Sequence, residues 1–184
     1  MSTVADDRLR ASDRAYLALR GEILDAELGA GTVLAEVEQS QRLGVSRTPL
    51  REALELQAAR LAARRRDPAV FTALRDEFRN VDDLLSDRHG YYDLVARLDN
   101  AIDDAAANPI LVSNLDGVRT HVARIRRLSQ DDPTRLRDAA REHLQILDAI
   151  IDGDESLAAS ATQVHLRNSL RNILSTLSPH QDKD

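Results

Sequence analysis

The stretch that most constrains this chain is Leu43-Gly44-Val45-Ser46-Arg47-Thr48-Pro49-Leu50-Arg51-Glu52-Ala53-Leu54. Gly44 tolerates the left-handed backbone that closes one helix, and Ser46 is a residue type that caps the next by accepting an otherwise unpaired N–H. Pro49 falls in the first turn, where its missing N–H costs nothing. At helical spacing Leu50, Ala53 and Leu54 share one face, while Arg47, Thr48 and Arg51 lie towards the other. Such a helix end suits the major groove of double-stranded DNA. Guanidinium pairs with guanine O6 and N7 through two hydrogen bonds, and free N–H groups favour a phosphate. Ser46, Arg47, Thr48 and Arg51 are therefore the candidate DNA-binding residues, the two arginines for bases and the two hydroxyls for phosphates.

Upstream, Ala15 to Leu24 reads as an amphipathic helix, and Gly29-Ala30-Gly31-Thr32-Val33-Leu34 turns the chain into a second one ending at Leu43-Gly44. Helix, short helix, tight turn and arginine-bearing helix are the order of a helix-turn-helix. A net charge of −6 opposes DNA binding for the chain as a whole. The acidic residues thicken only after Asp67, which leaves a DNA-reading head attached to a larger acidic body.

Aromatic residues make up 3% of the chain, with 7 Gly and 5 Pro, so the core must come from Leu, Ile, Val and Ala in helices. Directly after Leu54, Glu55 to Arg66 continues in helical register, and Arg47 to Arg66 can form one continuous helix. Asp67-Pro68 restarts the chain, with Val70, Phe71, Leu74, Phe78, Val81 and Leu85 on one stripe. Ser86 to Gly90 reads as a turn. Tyr92, Val95, Leu98, Ile102 and Ala106 form the next stripe, stopped at Asn108-Pro109. Ile110 or Leu111, Leu115, Val118, Val122 and Ile125 follow, then Asp131-Asp132-Pro133 with Leu136, Ala140, Leu147 and Ile150 up to Gly153. Asp154 is placed to cap a last helix carrying Leu157, Ala161, Val164, Leu170, Ile173 and Leu177, ended by Pro179. The short connections make an antiparallel all-α bundle. There is no cysteine, no secretory leader and no apolar run of the roughly 20 residues that span a bilayer, so the expectation is a cytoplasmic protein without a membrane partner.

On Leu28-Gly29-Ala30-Gly31, Leu34-Ala35-Glu36 and the twelve residues from Leu43 to Leu54, the chain resembles the GntR family of bacterial transcription regulators. The body resembles the helical FCD effector domain of the FadR-like branch. That resemblance rests on Leu98-Asp99, Ala105-Ala106-Ala107-Asn108-Pro109-Ile110-Leu111, Glu142-His143, Asp148-Ala149-Ile150, Gly153-Asp154 and His165-Leu166. It implies a helix-turn-helix domain over residues 1–54 and an effector-binding, dimerising domain over 55–184. In the family a two-stranded wing follows the reading helix, and this sequence has no counterpart to it between Leu54 and Glu55. The resemblance also implies a divalent metal (Zn, Ni or Mn) held by one aspartate and three histidines, with an organic acid beside it. His143 and His165 match two of those histidines. Val95 stands at the metal aspartate, and Asp99 at the remaining histidine.

From the residues themselves, Asp99 shares a stripe with Val95, Leu98, Ile102 and Ala106, and His143 lies between Ala140 and Leu147. Ionisable groups among apolar neighbours are costly unless paired or metal-bound. Asp99, His143 and His165 are thus the candidate metal set, and with His121 the candidate effector-binding set. The alternatives are core imidazoles satisfied by a carbonyl or carboxylate, with Asp99 pairing to His143. Arg119, Arg124, Arg126 and Arg127 supply either an effector clamp or a solvated basic face, and His89 lies in a polar turn. No Gly-rich phosphate loop, nucleophile elbow or His-Glu-x-x-His motif is present, so an enzyme is not expected. The expected function is a homodimeric, effector-responsive repressor of a metabolic operon that binds an operator and a small organic acid. The competing reading is a helical ligand-binding or dimerisation protein that has lost DNA reading with its wing.

Overall fold

The computed structural model describes residues 47–81, 88–116, 119 and 133–177. All regular elements among them are helical: α1 (Arg47–Arg65), α2 (Pro68–Arg79), α3 (Arg88–Ala106), α4 (109–116), α5 (Pro133–Asp152) and α6 (Glu155–Leu177). The two upstream helices, Ser46, His121, Leu85, Val118, Val122, Ile125 and Pro179 lie outside the described residues, as do the side chains of Arg47, Thr48, Pro49 and Leu50. The described residues fall into two compact units, one taking 47–55 with 109–119 and the other 56–108 with 133–177.

α1 runs unbroken through Leu54-Glu55, as the sequence register predicts for a chain whose reading helix continues without a hairpin. Beyond Glu55 its buried face is built largely from Ala58, Ala59, Ala62 and Ala63, side chains small enough to let neighbouring backbone come close. In the larger unit α5 packs against α2 and α6, and α2 also against α3. Phe71, Leu74 and Phe78 of α2, Tyr91, Leu94 and Leu98 of α3, and Leu136, Leu147 and Ile150 of α5 fill the core.

The helix ends follow the sequence signals closely. Asp67 caps α2 by accepting from the Ala69 N–H at 3.0 Å, and Asp154 caps α6 by accepting from the Leu157 N–H at 2.8 Å. Gly153, at φ 75°, closes α5 with paired bonds from Gly153 N to Ile150 O and from Asp154 N to Ala149 O, both 3.0 Å. Arginines meet the carbonyls left over at three C-termini. Arg65 donates to Ala106 O at the end of α3, while Arg66 donates from Nε to Ile151 O at 3.1 Å and from Nη1 to Ala63 O at 2.9 Å.

A Cβ at Gly153 would sit within 2.6 Å of the Arg66 guanidinium. Gly153→Ala is accordingly expected to destabilise the fold by about 2–3 kcal/mol, combining left-handed backbone strain with displacement of Arg66 from its carbonyls. Thermal unfolding of the variant checks this; an unchanged midpoint contradicts it.

Four sequence expectations need correction. Ser86 to Gly90 is not all turn, because helix α3 already begins at Arg88. In that helix Val95, Leu98, Ile102 and Ala106 are buried as the stripe predicts, but Tyr91, at 2% exposure, is the core aromatic and Tyr92 is half-buried. The last helix turns a different face inward. Its buried side chains are Ala158, Ala159, Ala161, Thr162, His165 and Ser169, whereas Leu157 and Val164 are about half exposed (51% and 50%) and Leu170 is 37% exposed. Small and polar residues win that face because it lies against α5 around a polar network. Val70, at 46% exposure, likewise leaves the stripe assigned to it.

Candidate functional site

Helical spacing gathers one small cavity from three elements of the larger unit. Tyr91, Tyr92 and Val95 come from α3, Arg135, Leu136, Ala139 and His143 from α5, and His165, Ser169, Asn172 and Ile173 from α6. Steps of three and four residues along each helix put every contribution on one face. The cavity encloses about 40 Å³, space for on the order of one or two waters.

His143 and His165 are both buried, with ring centroids 4.5 Å apart and planes tilted by 42°. The Tyr91 hydroxyl faces His143 Nδ1 at 3.5 Å, the outer limit of a hydrogen bond, and Phe78 packs against the same ring at 5.1 Å. Beside them sits a carboxylate with four donor contacts. Arg135 donates to both oxygens of Glu142 at 3.1 Å, Asn168 donates to Oε1 at 2.8 Å, and His165 Nδ1 lies 2.7 Å from Oε2. Burial pushes the Glu142 carboxyl up, but the hydrogen bonds from His165, Arg135 and Asn168 outweigh it and hold the group below its ordinary value of 4.5. Arg135 also donates to Ser169 Oγ at 3.2 Å, which in turn faces His165 Nε2 at 3.5 Å. An ionised Glu142 fixes the proton on His165 Nδ1.

Of the sequence-derived site residues, the structure brings His143 and His165 together. Asp99 is half-buried on α3 and is not among the cavity-lining residues, and His121 lies outside the described residues. His89 is exposed in the first turn of α3. The donor set does not fit the four-ligand metal arrangement implied by resemblance. Val95 has no ligand atom, His165 Nδ1 is engaged by Glu142, and among the described residues no three His, Asp or Glu side chains are placed to hold a metal ion.

Arg135, Glu142, Asn168 and Ser169 escaped the sequence reading. Arg135 and Glu142 are seven residues apart, two helical turns, and flank the buried Leu136 and Ala139. Opposite charges at that spacing on an apolar face were the available signal.

In the smaller unit, Arg51 is mostly buried, with 18% of its side chain exposed and Nε 3.7 Å from Glu55 Oε1. Arg119, offered by sequence as an effector clamp or a solvated cation, is not solvated: it is mostly buried and donates to Glu55 from Nε at 3.3 Å and from Nη2 at 3.0 Å.

Comparison with known proteins adds two family matches. The model of bacterial regulatory proteins of the gntR family matches residues 11–71, and the FCD domain model matches residues 48–168, well over half of the chain. The chain is an FCD-domain regulator of the GntR family. Both matches claim residues 48–71, so head and body signatures overlap through α1 and into the first turn of α2. An uncharacterized HTH-type transcriptional regulator in an unstable DNA locus of Streptomyces ambofaciens is 27% identical, the alignment covering 83% of this chain and 80% of the relative. The present chain is thus a GntR-type DNA-binding transcription regulator with an FCD effector domain. No described helix is long and apolar enough to cross a membrane.

Proposed function

We propose that this regulator represses a metabolic operon, reads its operator through Ser46, Arg47, Thr48 and Arg51, and responds to a small organic acid at the α3–α5–α6 cavity. The functional division proposed is a DNA-binding domain over 1–54 and an effector domain over 55–184. The observation that carries the effector reading is a guanidinium, two imidazoles and a tyrosine hydroxyl lining one cavity beside Val95, Leu136, Ala139 and Ile173, a combination suited to an anionic ligand with a small hydrocarbon body. At its present volume the cavity must widen to admit even a small acid, which couples occupancy to helix placement and so to the spacing of two heads. His143 and His165 are the effector contacts proposed at this cavity, which Asp99 does not line. A thermal-shift panel of small mono- and dicarboxylic acids tests it, since a ligand of the native state raises the midpoint with its concentration. The expected hit loses its shift on Arg135→Gln. The metal alternative, through His143 and His165 with a third donor, is tested in the same assay by zinc, nickel and manganese on chelator-treated protein. The two-histidine set is expected to give only weak metal-dependent shifts.

A homodimer is the proposed assembly, supported by the exposed apolar side chains Leu157, Val164 and Leu174 on α6 and by the two-fold character of helix-turn-helix sites. Leu157→Asp combined with Val164→Asp is expected to convert a dimer to a monomer in sedimentation at micromolar concentration. A dimer unaffected by the pair places the interface elsewhere.

A further inference from the structure

Because Glu55 follows Leu54 without an intervening hairpin, it lies one helical turn beyond Arg51 on a continuous α1. Two cations converge on this carboxylate: Arg51 at 3.7 Å and Arg119 through two hydrogen bonds, with side-chain exposures of 18%, 16% and 12% for Arg51, Arg119 and Glu55. The pair draws the Arg51 guanidinium towards the C-terminal direction of α1, away from the end that approaches a groove. We infer that Glu55 is an internal competitor for DNA at Arg51, and that Arg119 is the positioning residue that keeps Glu55 neutralised when Arg51 transfers to DNA. The inference rests on the reading of Arg51 as a DNA contact. Half-buried ion pairs are screened less by salt than exposed ones, so the competition persists at physiological ionic strength. Without Arg119, the charge of Glu55 falls more heavily on Arg51, and transfer becomes harder.

Fluorescence anisotropy with a mixed-sequence duplex of about 30 bp, measured between roughly 50 and 200 mM salt, reads both affinity and the number of phosphates neutralised. Glu55→Gln is expected to tighten binding about three- to tenfold without changing the slope of log K against log salt, because Arg51 reaches the DNA in both proteins. Arg119→Gln is expected to weaken binding by a similar factor without changing the slope, and to have no effect in the Glu55→Gln background. Unchanged or weaker binding by Glu55→Gln overturns the inference. So does an Arg119→Gln loss of equal size in both backgrounds, which would put Arg119 on the DNA itself. If Glu55→Gln fails to fold by circular dichroism, the single Arg119→Gln variant decides: weaker binding at unchanged slope supports the competition, and unchanged binding or a shallower slope overturns it. Should neither wild type nor variants bind the duplex even at low salt, DNA reading by this helix falls and the inference with it. Equal, measurable binding by all of them removes the inference alone.

Discussion

Glu142→Ala is expected to destabilise the chain by about 3–5 kcal/mol, the range for removing one member of a buried ion pair while its partners stay behind. Arg135 and His165 would lose the acceptor that satisfies them, in a setting where side-chain exposures are 15%, 12% and 9% for Arg135, Glu142 and His165. For a chain of this length the loss corresponds to roughly 10 °C in the midpoint of thermal unfolding. A simultaneous change of Arg135 to Met, Glu142 to Leu and His165 to Leu is expected to recover most of it, because an apolar set no longer leaves a charge unpaired. On that expectation the network serves to orient the His165 ring more than to add net stability. The pH dependence has a definite sign. The folded-state value of Glu142 lies below its ordinary 4.5, so its contribution is fully present above about that pH and is lost as pH falls through the depressed value. Acid unfolding of wild type should consequently show a carboxylate-linked loss in that range which Glu142→Gln lacks. Superimposable acid profiles for the two proteins contradict the assignment.

The second large effect concerns DNA. Arg47→Ala and Arg51→Ala are each expected to weaken operator binding by about 1–3 kcal/mol per head, and the double variant in a dimer to lose recognition at any practical concentration. Arg51→Ala belongs at the lower end, because wild-type Arg51 must first leave Glu55. Arg47→Ala should also relax base preference at one position of each half-site. Thr48→Ala, acting on a phosphate, should weaken binding evenly across sequences and reduce the salt slope. Binding isotherms for the three variants on a selected operator distinguish these patterns. Equal loss without any change in sequence preference removes the base-reading role of Arg47.

Much of the body was legible from its punctuation. Asp67-Pro68, Asp154 and Gly153 each mark a helix end through local chemistry, and local chemistry does not depend on what packs nearby. The stripes were less reliable where polar residues took the inner face. On α6 the periodicity of Leu157, Val164 and Leu170 pointed one way, but the hydrogen bonds of His165 and Asn168 with Glu142, and of Ser169 with Arg135, turned the helix the other. The same cause hid the site. Histidines stand out in a sequence, so His143 and His165 were found, whereas Arg135 and Glu142 look like an ordinary surface pair until their helix is packed. The pairing of Arg119 with Glu55 spans 64 residues, and no local pattern could announce it.

DNase footprinting of the promoter upstream of the chain's own gene, with wild type and the Arg47→Ala/Arg51→Ala double variant side by side, bears most directly on DNA reading by the start of α1. Expected is a protected region made of two related half-sites about one helical turn apart, or a multiple of it, that vanishes with the double variant. Absence of protection by wild type at low salt, or a footprint that the double variant retains, contradicts it.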